Sequence, residues 1–120
     1  MPHDQLPALL SAADVMALPS ASEGLANVWV ESLACGTPIV ITDVGGARDV
    51  VNRTAAGRLV ERCAPAIADG IKQVLATPRL QLDVAEAVAG FSWERNCADL
   101  YDYLRQLVGT RRGDARSERQ

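Results

Sequence analysis

The stretch from 25 to 42 constrains the fold most, because a helical pattern runs straight into a chain break and then into a strand pattern. Residues 25–35 carry apolar side chains at helical spacing, which predicts a helix there. Gly36 suits the left-handed turn that ends a helix, and Pro38 cannot continue one. The β-branched run 39–42 that follows predicts a buried strand. A helix that leads directly into a buried strand is typical of α/β proteins.

The same alternation of strands and helices extends along the rest of the chain. Further strands are predicted over 15–18 and 57–60. Further helices are predicted after an Asp4 cap, over 47–51, from 64 onward, from 78 to 89 after a Thr77 cap, and from a Ser92 cap to Val108, with Gly109 ending the last one. Because strands that alternate with helices form parallel sheets, the sequence predicts an α/β fold with a Rossmann-like parallel sheet flanked by helices.

Length and composition indicate one folded domain followed by a polar tail. A chain of 120 residues with 48% hydrophobic residues is long enough to bury roughly two-thirds of its unfolded surface. Residues 110–120 hold no apolar side chain larger than alanine, which is typical of disordered segments. We therefore predict a domain over 1–109 and a disordered tail over 110–120.

Charge and hydropathy exclude several classes of partner. The net charge of −3 gives no reason to expect nucleic acid or an anionic membrane as a partner. No apolar run reaches the roughly 18–20 residues that a transmembrane helix needs. The N-terminus also lacks the basic and apolar regions of a signal peptide. The expected location is therefore the cytoplasm.

The three cysteines, Cys35, Cys63 and Cys97, indicate neither disulfide bonds nor a metal site. They are odd in number, far apart and include no Cys-x-x-Cys pair, so we expect reduced and mostly buried thiols. A catalytic thiol needs a histidine neighbour, and the only histidine is His3, close to the terminus. Since neither a cysteine pair nor a histidine pair is present, no bound metal is expected.

Two carboxylates, Glu23 and Glu31, stand eight positions apart where a predicted loop passes into a helix. On a helix this offset is about 12 Å of rise, which lets one acid face the sugar of a nucleotide-sugar while the other meets its ribose. The free amides of the first helical turn lie between them and form a site for phosphate. Two plainer interpretations stay open: Glu23 as a capping-box partner of Ser20, and Glu31 as an exposed helix acid.

The loops over 20–26 and 43–46 each follow a predicted strand, so they meet at the same edge of a parallel sheet. Ligands of such sheets bind outside the carboxyl ends of the strands, and the position of Glu23 therefore fits a binding site. Within the second loop, Gly45 and Gly46 fit either a turn that needs a positive φ or a role facing the ligand.

Several longer motifs occur together and in order. They are ADVMALPS at 13–20, SEGLANVWVESLACGTPIV at 22–40, TDVGG at 42–46, GRLV at 57–60 and FSWE at 91–94. Together they resemble family 4 glycosyltransferases (glycosyl transferases group 1), which are retaining enzymes of the two-domain GT-B architecture. The resemblance covers nearly all of the chain except the tail. It implies a partial C-terminal, donor-binding domain, with the N-terminal acceptor domain absent from this chain.

The resemblance also implies roles for individual residues. Glu23 takes the place of a catalytic glutamate that lies beside the transferred sugar, and Glu31 takes the place of one that binds the ribose. Many relatives have glycine where Ala26 stands, and the backbone amide survives that change. The implied substrate-binding residues are Glu23, Gly24, Leu25, Ala26, Asn27 and Glu31, with Gly45 and Gly46 as further candidates. The implied transfer is retaining and independent of metal, and a nucleotide-sugar is its donor substrate rather than a cofactor.

The expected function is therefore that of a glycosyltransferase fragment that binds a nucleotide-diphosphate sugar and is inactive without the acceptor domain. Its expected protein partner is that missing domain or a second copy of the chain. One alternative is a sugar-nucleotide epimerase of the same architecture, against which the single terminal histidine argues. Another is a truncated module without catalysis, whose exposed sheet edge favours self-association.

Overall fold

A three-stranded parallel sheet forms the centre of the fold in a computed structural model, as the alternating pattern predicts. The structure describes the backbone of residues 2–117 and the side chains of residues 2–92 and 94–109. The chain divides into two compact units, one ending at Ala89 and one beginning at Gly90, and each is described by itself. The extents of the predicted domain, 1–109, and of the predicted tail stay predictions.

The strands of the first unit are β1 (Met16–Leu18), β2 (Ile39–Thr42) and β3 (Gly57–Val60), in the order β1-β2-β3. Met16 lies opposite Ile39 in the register, and Ile39 in turn lies opposite Gly57. All four residues of β2 are buried, which confirms the prediction for this strand. β1 was expected to be buried as well, and this is wrong, because β1 pairs on one side only and Ala17 is exposed.

Five α-helices surround the strands within the first unit. They are α1 (Leu6–Ala12), α2 (Asn27–Ala34), α3 (Ala47–Val50), α4 (Ala64–Ala76) and α5 (Gln81–Ala85), with short 3₁₀ turns at His3–Gln5, Thr54–Ala56 and Glu86–Val88. The expected helix start at Pro78 is wrong, because α5 begins three residues later. The Thr77 hydroxyl instead donates to the Gln73 carbonyl at 2.9 Å and so closes the end of α4.

The core lies between β2 and the helix that precedes it. Trp29 and Leu33 of α2 are fully buried, and burying a side chain of this size stabilises the fold by about 1.5–3 kcal/mol. Gly36 adopts φ +83° after α2, which confirms the predicted left-handed turn. The buried Thr37 hydroxyl then donates to the Leu10 carbonyl and ties the start of β2 to α1. These contacts fix the position of α2 against β2.

In the described part of the second unit, 90–117, the helix is α6 (Trp93–Ser117). The Arg95 amide donates to the Ser92 hydroxyl oxygen at 3.1 Å, which confirms the predicted cap. The predicted end at Gly109 is wrong, because a glycine inside a helix costs only about 1 kcal/mol and does not by itself end it. In the structure the backbone is helical over 110–117, where the sequence predicts disorder. Disorder of the tail in solution stays a prediction, and residues 118–120 lie outside the described residues.

Two predictions based on composition have different outcomes. Cys35 is half-buried while Cys63 and Cys97 are exposed, so the expectation of mostly buried thiols is wrong. Cys63 is the N-cap of α4 and Cys97 lies in α6, and the apolar character of a thiol alone does not decide its burial. Among residues 2–117, no helix is long and apolar enough to cross a membrane.

Candidate functional site

The carboxyl ends of the three strands surround an open cavity of about 500 Å³. Its walls come from the loops that follow β1, β2 and β3. The polar residues among them are Ser20, Thr42, Asp43, Arg48, Glu61 and Arg62. This is the edge at which parallel α/β sheets bind their ligands. The structure therefore brings together the two loops that the sequence predicts to meet there.

Glu23 lies in the loop after β1 and is held by a neighbouring hydroxyl. Ser20 donates a hydrogen bond from Oγ to Oε1 of Glu23 at 2.9 Å, and both side chains are half-buried. The two residues that the capping interpretation pairs do contact each other. The contact is not a capping box, however, because Ser20 is not the N-cap of α2, and the bond joins two side chains instead of a side chain and a backbone amide.

The N-terminus of α2 lacks a cap from the protein. Its N-cap residue is Ala26, with extended backbone angles of φ −68° and ψ 125° and no capping side chain. The backbone amides of Leu25, Ala26 and Asn27 donate to no protein acceptor in the described part of the chain. Because φ of Ala26 is negative, alanine fits here without strain. Free amides at a helix start carry partial positive charge and are suited to an anion.

Gly45 and Gly46 allow the loop after β2 to lie close against the loop that carries Glu23. Gly45 has φ +51°, and a Cβ there would lie 2.0 Å from the Glu23 carbonyl oxygen and 2.2 Å from that of Gly24. The amide of Gly46 donates to the Gly24 carbonyl at 2.7 Å. The turn and the close approach thus account for Gly45, and the Gly46 amide is already engaged. A role of either residue facing a ligand stays a prediction.

Glu31 lies within α2 and lines a second cavity, of about 240 Å³. The other lining residues are His3, Leu6, Pro7, Leu10, Ala34 and Cys35. The structure therefore separates the two predicted acids: Glu31 lines the cavity against α1, whereas Glu23 is bonded to Ser20, a lining residue of the cavity at the sheet edge. Sequence reasoning set His3 aside as a terminal residue and missed that it lines a wall with Glu31. Among the side chains of residues 2–92 and 94–109, no three His, Cys, Asp or Glu are grouped to hold a metal ion.

An ion pair in the wall of the cavity at the sheet edge was also not predicted from the sequence. Arg48 Nη2 donates to Asp43 Oδ2 at 2.6 Å, and Arg48 Nε donates to both carboxylate oxygens. These hydrogen bonds lower the pKa of the Asp43 carboxyl below its ordinary value, against a smaller opposing effect of desolvation. The pair spans a turn and a helix start, so no helical or strand period in the sequence points to it.

A second cation reaches the same cavity from the loop after β3. Arg62 donates from Nε to the Pro19 carbonyl at 3.2 Å and so connects the ends of β1 and β3. With Arg48 already paired to Asp43 and Glu61 in the wall, the cavity carries charges of both signs.

The sequence matches a known family over most of its length. The family model described as glycosyl transferases group 1 matches residues 1–90. The chain is 36% identical over 111 residues to a D-inositol 3-phosphate glycosyltransferase of Corynebacterium urealyticum, covering 88% of this chain and 26% of that protein. It is 38% identical over 115 residues to the protein of the same name from Mycobacterium bovis, covering 89% of this chain and 24% of that protein.

A solved structure supports the same assignment. The fold is similar to sucrose-phosphate synthase from Thermosynechococcus elongatus, with a TM-score of 0.77 and 32% identity over 92% of this chain and 29% of that chain. The chain spans about a quarter of the length of the curated relatives it matches. The family matched by its model is the one that the sequence motifs resemble, so that prediction is confirmed. The chain belongs to the glycosyl transferases group 1 family.

Proposed function

We propose that this chain binds the donor of a glycosyl transfer reaction, a nucleotide-diphosphate sugar, at the N-terminus of α2. The observation that carries the proposal is the uncapped start of this helix, where the amides of Leu25, Ala26 and Asn27 have no acceptor in the described protein. Gly24 precedes them, and a Cβ at its position would meet nothing within 4 Å. A diphosphate can therefore approach the backbone and serve as the cap that the protein does not supply.

The chemistry expected at this site is electrostatic. As the bond between the sugar and the diphosphate breaks, negative charge grows on the departing phosphate. Amides that are already oriented, together with the helix dipole, stabilise that charge without having to reorganise. Glu23 would lie beside the sugar and orient it through its hydroxyl groups, which contributes positioning rather than proton transfer. The proposed transfer retains the anomeric configuration and uses no metal.

Glu31 is proposed to bind the ribose of the same donor. Its carboxylate accepts no hydrogen bond from any described residue and lines a cavity whose other walls are largely apolar, from Leu6, Pro7 and Leu10. A pocket with apolar walls and a few placed polar groups is typical of small-molecule sites. A carboxylate among largely apolar walls suits a ribose with its attached base.

We further propose that the isolated chain binds donor without transferring the sugar. The D-inositol 3-phosphate glycosyltransferases that it matches are about four times longer. The part that the chain shares with them contains the proposed donor site. An acceptor site would be provided by another part of the protein or by a separate chain.

Isothermal titration calorimetry against UDP-glucose, GDP-mannose and ADP-glucose tests this function. At least one of these donors should bind, and Glu31→Ala should weaken it by roughly 10-fold or more, since a hydrogen-bonded charged group contributes about 1.5–3 kcal/mol. Glu86→Ala is the matched control, because Glu86 is exposed and lines neither cavity. If Glu31→Ala binds like Glu86→Ala, the ribose assignment fails. If no donor binds the unmodified chain, the function itself is refuted.

A further inference from the structure

A chain of hydrogen bonds connects the central strand to the carboxylate of Glu23. Thr42, the last residue of β2, is 4% exposed, and its hydroxyl donates to the Ser20 carbonyl. The Ser20 amide donates to the Leu18 carbonyl at 2.9 Å, so the backbone of Ser20 is held through both of its polar groups. The Ser20 hydroxyl then donates to Oε1 of Glu23. The orientation of this carboxylate is thus linked to a buried residue of the sheet.

The backbone on the other side of Glu23 is fixed independently. The Gly46 amide donates to the Gly24 carbonyl, and the tight approach of Gly45 leaves no space in which the Glu23–Gly24 backbone could shift toward the loop after β2. Residues on both sides of Glu23 are therefore held by β2 and the loop that follows it.

We propose that Ser20 and Thr42 are positioning residues that hold Glu23 ready for the sugar of the donor. The proposal rests on the proposed function, in which Glu23 lies beside that sugar. Ser20 occupies Oε1, whereas Oε2 receives no hydrogen bond from the residues that the structure describes. One carboxylate oxygen is thus used to fix the side chain, and the other is free to accept hydrogen bonds from sugar hydroxyls.

Fixing the Glu23 side chain before binding should raise the affinity for the sugar part of the donor and leave the affinity for the nucleotide part unchanged. An acid that is already ordered loses less rotamer freedom on binding, and for one side chain this corresponds to roughly a 2- to 10-fold gain in affinity. A purely structural role for Ser20 would instead change the stability of the loop and affect every ligand equally. The ratio between the affinities for a nucleotide-sugar and for its nucleoside diphosphate distinguishes the two roles.

The test measures both affinities by calorimetry for the unmodified chain and its variants, with the tightest-binding donor of UDP-glucose, GDP-mannose and ADP-glucose and its matching diphosphate. Ser20→Ala should weaken the nucleotide-sugar roughly 2- to 10-fold and leave the diphosphate unchanged. Ser20→Thr, which keeps the hydroxyl, should retain the affinity. Ser22→Ala is the matched control, because Ser22 is exposed and its hydroxyl makes no hydrogen bond to a described residue.

Glu23→Ala separates failure of this inference from failure of the proposed function. It should lower the affinity for the nucleotide-sugar by more than Ser20→Ala, and adding Ser20→Ala to it should cause no further loss, because the two changes act through one group. If Glu23→Ala is selective for the sugar but Ser20→Ala is silent, positioning by Ser20 is refuted while the donor site stands. If Glu23→Ala is also silent, or no donor binds, the proposed role of Glu23 fails and the positioning role with it.

Thr42 provides a second, independent arm of the test. Thr42→Val removes the buried hydroxyl at nearly constant shape, whereas Thr42→Ser keeps it. The valine variant should show the same selective loss of sugar affinity as Ser20→Ala, and the serine variant should not. Thermal unfolding of each variant shows whether it is folded. Equal losses for both ligands in the folded valine variant would contradict a positioning role.

Discussion

The most informative single substitution is Ala26→Asp, at the N-cap of α2. Ala26 already has the extended backbone angles of an N-cap, φ −68° and ψ 125°, and is only half-buried, so an aspartate side chain fits. Its carboxylate would accept a hydrogen bond from an amide of the first turn and meet the positive end of the helix dipole. The protein would then supply the cap that we assign to the donor.

The expected gain in stability follows from known capping energies. Replacing alanine by aspartate at an N-cap stabilises by about 0.5–2 kcal/mol. In a domain of this size each kcal/mol raises Tm by roughly 4–8 °C. Thermal unfolding followed by circular dichroism, without ligand, should therefore show a clear increase in Tm. Leu80→Asp is the matched control, because Leu80 is the N-cap of α5, is 70% exposed and also has no capping side chain.

The same change should weaken donor binding. Two unit charges about 5 Å apart repel by about 3 kcal/mol at an effective dielectric constant of about 20, which corresponds to an affinity loss of roughly 100-fold or more. Ala26→Ser adds a cap without charge and should cost much less affinity. Leu80→Asp should leave the affinity unchanged. If Ala26→Asp raised Tm but bound the donor as tightly as the unmodified chain, the diphosphate would not lie at this helix start.

Two further predictions concern the loop after β2. Carbon-detected NMR titration should give a pKa for Asp43 below the ordinary aspartate value, and Arg48→Ala should raise that pKa, because the arginine hydrogen bonds are lost. Since the folded-state pKa is lowered, the small contribution of this pair to stability is present at neutral pH and is lost as the pH falls through that pKa. Equal Asp43 pKa values in the two proteins would contradict the ion pair. Gly45→Ala should lower the free energy of unfolding by about 1–3 kcal/mol, because φ is +51° and a Cβ would meet the Glu23 carbonyl. Gly24→Ala, where a Cβ meets open space, should change the free energy of unfolding little. Equal denaturation midpoints for the two variants would refute the close approach.

Local patterns were sufficient to predict the central elements of this fold. β2 combines β-branched residues with a Gly-Thr-Pro break before it, and both signals are local, so its position and burial are confirmed. The left-handed turn at Gly36 and the cap at Ser92 are likewise consequences of nearby residues. The edge of the sheet that carries the loops followed from the parallel topology alone.

The errors arise where one side chain has a choice of local partners, or where contacts distant in sequence decide the outcome. Thr77 has the chemistry of a cap, but its hydroxyl bonds back to Gln73 and the next helix begins later. The sequence spacing of Glu23 and Glu31 suggests one shared site, yet the packing of α1 against α2 creates a separate cavity beside Glu31. The sequence suggests the Ser20–Glu23 pair only as a capping box, since no sequence rule describes a carboxylate held by a hydroxyl that a second strand positions.

The central claim is that the free amides at the start of α2 hold the diphosphate of a donor. Amide proton and nitrogen shifts in two-dimensional NMR, recorded during addition of the tightest-binding donor, test it most directly. The account predicts that the largest changes occur at Leu25, Ala26 and Asn27, with downfield proton shifts as their unbonded N–H groups acquire an acceptor. Saturable binding that leaves these three signals in place would contradict it.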